Sequence, residues 1–215
     1  LSQVITVLAA PLLSRLYNGE HFGVLALYMS ISSLFVLIAA GRYELAIVLP
    51  DEEKKAHNLI ALSLFITMAM TLLSFIIVLI CKDVLSVLFK EPRLSSFLLF
   101  VPLSVLSMGF YQVFYNWCLR KKKFKVMSWS KIVQSSISVT VSLALGFSGN
   151  VISGLIAGFI AGQVAGAVFI GIYALVNEHD KCVYIVHSTS SIVKSLAQNI
   201  YDLQNKVHKY KKQLN

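Results

Sequence analysis

The chain has 215 residues, of which 57% are hydrophobic and 13% charged, against about 25% charged in an ordinary soluble domain. So few charges cannot cover a water-facing surface, and a soluble globular fold is excluded. Nineteen Lys and Arg against ten Asp and Glu leave a net charge of +9, which the positive-inside rule assigns to cytoplasmic loops rather than to nucleic-acid binding.

A membrane-crossing helix needs about 20 apolar residues for a ~30 Å hydrocarbon core. Val4 to Leu13 reads as the tail of a first, partial span. The charge-free runs Phe22–Gly41, Asn58–Cys81 and Leu94–Leu119 supply the second, third and fourth. Pro102 lies inside the fourth and is expected to kink it. From Ile132 to Asn177 there are 46 residues without a charge, ~69 Å as one helix. That run must fold back, and Gly146, Gly149 and Asn150 supply the turn, giving spans Ile132–Gly149 and Val151–Val176. The expected fold is all-α, a polytopic membrane bundle of about six transmembrane helices with the first one partial. Residues 1–176 form the transmembrane unit and 177–215 a tail. In the tail Val193, Leu196, Ile200, Leu203, Val207, Tyr210 and Leu214 alternate three and four apart among lysines. That pattern suits a cytoplasmic amphipathic helix on anionic lipid, or a coiled coil.

Loop charges orient the bundle. Alternate segments, those holding Arg42 to Lys55, Arg120 to Lys131 and the tail, carry 15 of the 19 basic residues. Lys and Arg bias sets topology, so these segments, and with them the C-terminus, are expected to be cytoplasmic. Tyr111, Phe114, Tyr115 and Trp117 precede the Arg120–Lys125 cluster and read as an interfacial aromatic belt.

Three features stand out within the spans. Arg42 and Glu44 interrupt an otherwise apolar stretch from Phe22 to Pro50. An ionisable residue at membrane depth usually faces a bundle interior or a watery cavity, whereas one at the end of a span snorkels to the interface; both readings fit Arg42. Gly154, Gly158, Gly162 and Gly166 recur every four residues beside Ala157, Ala161 and Ala165, a small-residue stripe on which another helix can pack closely. Ser135, Ser138 and Ser142 share a face of the fifth span, where they bond to their own backbone or across to another helix. No catalytic constellation, metal spacing or phosphate-binding glycine loop is present in the sequence, so neither enzyme activity nor a metal or other cofactor is expected.

Several of these segments resemble one family. Leu12-Leu13-Ser14-Arg15-Leu16-Tyr17, followed by Phe22-Gly23, is similar to the end of the first span and the first external loop of bacterial polysaccharide-export flippases. Gly41-Arg42-Tyr43-Glu44-x-Ala46-Ile47-x-Leu49-Pro50 resembles their second-span signature. Arg120 with Phe124 and Ser128 resembles their basic fourth loop, and Gly154-Leu155-Ile156-x-Gly158 their sixth span. The likeness covers about residues 5–176 and is to the O-antigen translocase (Wzx-type) branch of the multidrug/oligosaccharidyl-lipid/polysaccharide exporter superfamily. It implies alternating-access flipping of undecaprenyl-diphosphate-linked oligosaccharides across a bacterial inner membrane, in surface polysaccharide or lipopolysaccharide synthesis. It also implies two six-helix lobes around a cationic cavity, with Arg42 as the contact for the lipid diphosphate and Tyr43 and Glu44 in the same motif. Against that pattern the chain reads as the N-terminal lobe only, a partial transporter whose partners are the lipid-linked oligosaccharide, membrane lipids, and a second lobe or another copy. The alternative expectation is a non-transporting interaction protein, or half-transporter, that docks a partner through Gly154, Gly158, Gly162 and Gly166.

Overall fold

In hydrocarbon every backbone N–H and C=O must be paired within its own segment, and the apolar runs are accordingly helical. A computed structural model describes residues 2–40, 43–48, 53–88, 97–148 and 151–177. They form α1 (Ser2–Leu16), α2 (Gly19–Ala40), α3 (Glu53–Leu88), α4 (Val101–Arg120), α5 (Phe124–Phe147) and α6 (Val151–Asn177), with a short 3-10 helix at Tyr43–Val48 between α2 and α3. Among the described residues the fold is all-α, a helix bundle of the polytopic membrane kind. Gly19–Leu37, Lys55–Ile80 and Ser153–Ala174 are long and apolar enough to cross a membrane. At 20 and 24 residues α4 and α5 are also long enough. They fall short in apolarity because serines, tyrosines and carboxamides interrupt them, and those side chains turn toward other helices and a cavity. The expected tail, 177–215, lies outside the described residues apart from Asn177.

Two boundaries differ from the expected ones. Pro102 occupies the first turn of α4, whose helix starts at Val101. A first-turn proline forgoes no helical hydrogen bond, and a turn at residues 99 and 100 separates it from the helical residues 97 and 98. The helix that carries the fifth span begins at Phe124, ahead of the charge-free run from Ile132, which shortens the basic connection to 121–123. That turn closes α4 with a Schellman motif: the Lys122 N–H donates to the Leu119 carbonyl and the Lys123 N–H to the Cys118 carbonyl, both at 2.9 Å. Lys122 takes the left-handed conformation the motif requires, with φ of 54°.

Antiparallel alternation brings connections of the same parity to one end. There Lys121 Nζ pairs with Glu53 of α3 at 2.6 Å and lies 5.0 Å from the Trp117 ring centroid. Arg120 donates to the Ile47 carbonyl at 3.3 Å. At the opposite end the α1–α2 connection meets the end of α5, where the buried Tyr17 hydroxyl donates to the Ser142 carbonyl at 2.5 Å. Between these ends α2, α3, α4 and α6 share an apolar core that includes Val24, Ile31, Val78, Val105 and Ile156. Inside it the Tyr28 hydroxyl and Ser104 Oγ are 2.7 Å apart.

The glycine stripe is filled from within the chain. A Cβ on Gly158 would collide with Ser142 Oγ and stand 2.7 Å from the Ser138 carbonyl oxygen. One on Gly162 would lie 2.7 Å from the Gln134 carbonyl oxygen and from Ser138 Cβ, and one on Gly154 would strike the Tyr17 hydroxyl. On Gly166 it would stand 3.3 Å from Gln134 Cβ. The absent side chains let α6 lie directly on α5, with Ser138 and Ser142 at the seam. This corrects the expectation that Gly154, Gly158, Gly162 and Gly166 dock a separate partner, because α5 already occupies that face. Ser135, by contrast, returns its hydroxyl to the Lys131 and Ile132 carbonyls at 3.0 and 3.1 Å.

Candidate functional site

The close α5–α6 approach, together with α2 and α4, leaves a cavity of about 540 Å³ among the spans, within the ~300–1,000 Å³ range of small-molecule sites. Its walls are Ser33, Val36 and Leu37 of α2, Leu45 of the 3-10 helix, Met108, Tyr111, Gln112, Tyr115 and Asn116 of α4, Lys131 and Gln134 of α5, and Gln163 of α6. Among the described lining residues eight side chains are polar and none is acidic, an unusual lining for a site between apolar helices.

Lys131 is the cation among its described lining residues. It stands seven residues into α5, roughly 10 Å along the helix from Phe124. Its Nζ lies 5.9 Å from the Tyr111 ring centroid and 5.7 Å from that of Tyr115, within cation–π range. The two rings are 5.6 Å apart and inclined by 30°, and the Tyr111 hydroxyl is 3.1 Å from Ser130 Oγ. Tyr111 and Tyr115 therefore face the cavity rather than an interfacial belt. Trp117 packs at the basic end against His57, at 5.0 Å between centroids. Lys131 also borders two smaller depressions, one toward Ser2, Gln3 and Thr6 of α1 and one toward Phe124 and Ser128.

The polar wall opposite carries unmet hydrogen-bonding capacity. Gln163 is 3% exposed, and neither its Nε2 nor its Oε1 has a partner; Gln112 Oε1 is likewise buried and unpartnered. Asn116 is tied to its own helix through the Gln112 carbonyl at 2.9 Å.

Of the residues singled out in the sequence, Arg42 lies outside the described residues, as do the side chains of Tyr43 and Glu44. The backbone of Tyr43 and Glu44 begins the 3-10 helix. Leu45, next in that helix, lines the cavity, and Ile47 is buried with Ala56, Ile60, Val113 and Trp117. The described part of the second-span motif, Tyr43–Val48, thus runs beside the cavity wall, at the same end as Arg120. Sequence reasoning missed Lys131, counted with the loop cluster, together with Gln112 and Gln163. A carboxamide within an apolar run was the available signal.

A family model described as polysaccharide biosynthesis protein matches residues 12–199, most of the chain. The chain belongs to the polysaccharide biosynthesis protein family. Neither the curated proteins nor the solved structures contain a match. Family membership gives the cavity a context: this polysaccharide biosynthesis protein carries a polar, lysine-bordered cavity between apolar helices.

Proposed function

We propose that the protein is a translocase lobe that moves undecaprenyl-diphosphate-linked oligosaccharides between leaflets of a bacterial inner membrane, in O-antigen or related surface polysaccharide synthesis. The observation that carries the reading is the cavity with Lys131 in its wall. An ionisable residue among membrane helices usually faces a watery cavity and marks a substrate or ion pathway, and Lys131 borders this cavity from α5. Its ammonium suits a diphosphate, and the aromatic and carboxamide groups beside it in the cavity leave room for an anionic ligand. Arg42, on a motif whose next described side chain lines the same cavity, is assigned to the same headgroup, where its planar fork matches phosphate oxygens. The basic end, with Lys121, Lys122 and Lys123, is taken as cytoplasmic, so the diphosphate is met from the leaflet where it is made. A second lobe, in the family resemblance another six helices, would close the cavity and allow alternating access.

The test is genetic. In cells that depend on the complete transporter, Lys131→Met and Arg42→Ala should each abolish surface polysaccharide while the protein still reaches the membrane. Lys131→Arg should retain a substantial part of the output. Wild-type polysaccharide in Lys131→Met cells would overturn the assignment.

A further inference from the structure

The cavity's diphosphate contact leaves its most deeply buried polar group unused. Gln163 sits on α6 directly after Gly162, in a helix built mainly of glycine, alanine, aliphatic and aromatic residues, with Ser153, Tyr173 and Asn177 as its other polar side chains. It is 3% exposed, lines the cavity, and has both carboxamide atoms unpartnered. A leucine or methionine would fill that position without stranding a donor and an acceptor in hydrocarbon, where unmet polar groups are costly. The bare carboxamide therefore asks for a ligand.

The available groups select its chemistry. Gln163 offers an N–H donor and a carbonyl acceptor side by side, and Gln112 adds a second unpartnered acceptor. A phosphate or carboxylate would accept from Nε2 but be repelled by the two carbonyl oxygens. A metal cation would take the oxygens and leave Nε2 unmet, and an acyl chain satisfies neither. Neighbouring ring hydroxyls, each able to donate and accept, satisfy all three atoms at once. Tyr111 and Tyr115 supply aromatic surface in the same cavity, against which the C–H face of a pyranose can lie.

We infer that Gln163 and Gln112 form a sugar-reading subsite that recognises vicinal hydroxyls of a pyranose and so sets which repeat unit the protein accepts. The inference rests on the translocase reading, since an oligosaccharide must enter the cavity. It adds to that reading a specificity determinant separate from the cationic one.

Saturation-transfer NMR on the full chain in lipid nanodiscs, free of glycoside detergent, separates the two. The probes are methyl glucopyranoside and methyl galactopyranoside with their 2-deoxy and 3-deoxy analogues and, as a separate arm, undecaprenyl diphosphate without sugar. Wild type should transfer saturation to ring protons of at least one parent glycoside and less to a deoxy analogue. Gln163→Met should reduce that transfer about fivefold or more, as expected for losing paired buried hydrogen bonds, and Gln112→Met should reduce it by a smaller factor. Both variants should bind undecaprenyl diphosphate as wild type does, which also reports that they fold. Lys131→Met should show the reverse pattern. Undiminished glycoside signal in Gln163→Met, or no signal from any glycoside with wild type, overturns the subsite. Undiminished undecaprenyl diphosphate binding in Lys131→Met instead counts against the translocase reading.

Discussion

Replacing Gly158 by alanine tests whether α5 and α6 approach as closely as the glycine stripe implies. The added Cβ would overlap Ser142 Oγ, which can rotate, but it would also stand 2.7 Å from the Ser138 carbonyl oxygen and 3.0 Å from the Ser142 nitrogen. Those are backbone atoms of a packed helix, so relief requires the two helices to separate along their seam. Overpacking of this kind costs about 1–3 kcal/mol. Glycine to alanine also raises helix propensity by about 1 kcal/mol, so the single variant alone is ambiguous. Gly171, on the same helix, has nothing within 4 Å of a built Cβ and shares the propensity gain. The difference between Gly158→Ala and Gly171→Ala therefore isolates the close approach, and Gly158→Ala should be the less stable by about 1–3 kcal/mol. Equilibrium unfolding in mixed micelles at increasing SDS, followed by far-UV circular dichroism, measures that difference. Equal stabilities, or a more stable Gly158→Ala, would refute direct contact between the two helices.

Further outcomes follow from the ends of the bundle. Tyr17→Phe removes the hydrogen bond to the Ser142 carbonyl and should lower stability by about 0.5–1.5 kcal/mol in the same unfolding assay. Burial pushes the Tyr17 phenol above its ordinary value of 10.0. Its contribution is therefore fully present below that pH and is lost as pH rises past it toward the higher folded value, a loss Tyr17→Phe should not show. Lys122→Gly relieves a left-handed backbone that costs a non-glycine residue about 1–2 kcal/mol. Glycine's greater unfolded freedom offsets about 0.5–1 kcal/mol, so the variant should unfold at slightly higher SDS. An unchanged or lower midpoint would speak against strain in that turn.

The spans were legible because hydrocarbon tolerates so few unpaired charges that the runs around Phe22, Asn58 and Ile132 could not lie elsewhere. The stripe Gly154 to Gly166 was legible as a packing face from its four-residue spacing, but not its partner, because small-residue spacing carries no information about which helix meets it. Lys131 was obscured by its neighbours. It follows five basic residues between Arg120 and Lys125, and sequence charge does not distinguish a loop from the second turn of a helix facing a cavity. Tyr111 and Tyr115 were ambiguous for a related reason: amphipathic rings before a basic cluster suit an interface and a polar chamber equally. Gln112 and Gln163 carry no charge, so the sequence offers only a carboxamide within an apolar run, and their significance emerges with their burial and their unpartnered atoms.

The account centres on a cavity in which Lys131 holds an anionic lipid headgroup during transfer between leaflets. Sidedness of the lipid-linked oligosaccharide measures this most directly, using a membrane-impermeant probe of its sugars on spheroplasts carrying the complete transporter. Wild type should expose the sugars at the outer face. Lys131→Met should reduce that exposure about tenfold or more, because a hydrogen bond to a charged group contributes about 1.5–3 kcal/mol, while total lipid-linked oligosaccharide is maintained or rises. Outer-face exposure equal to wild type in Lys131→Met spheroplasts would contradict the account.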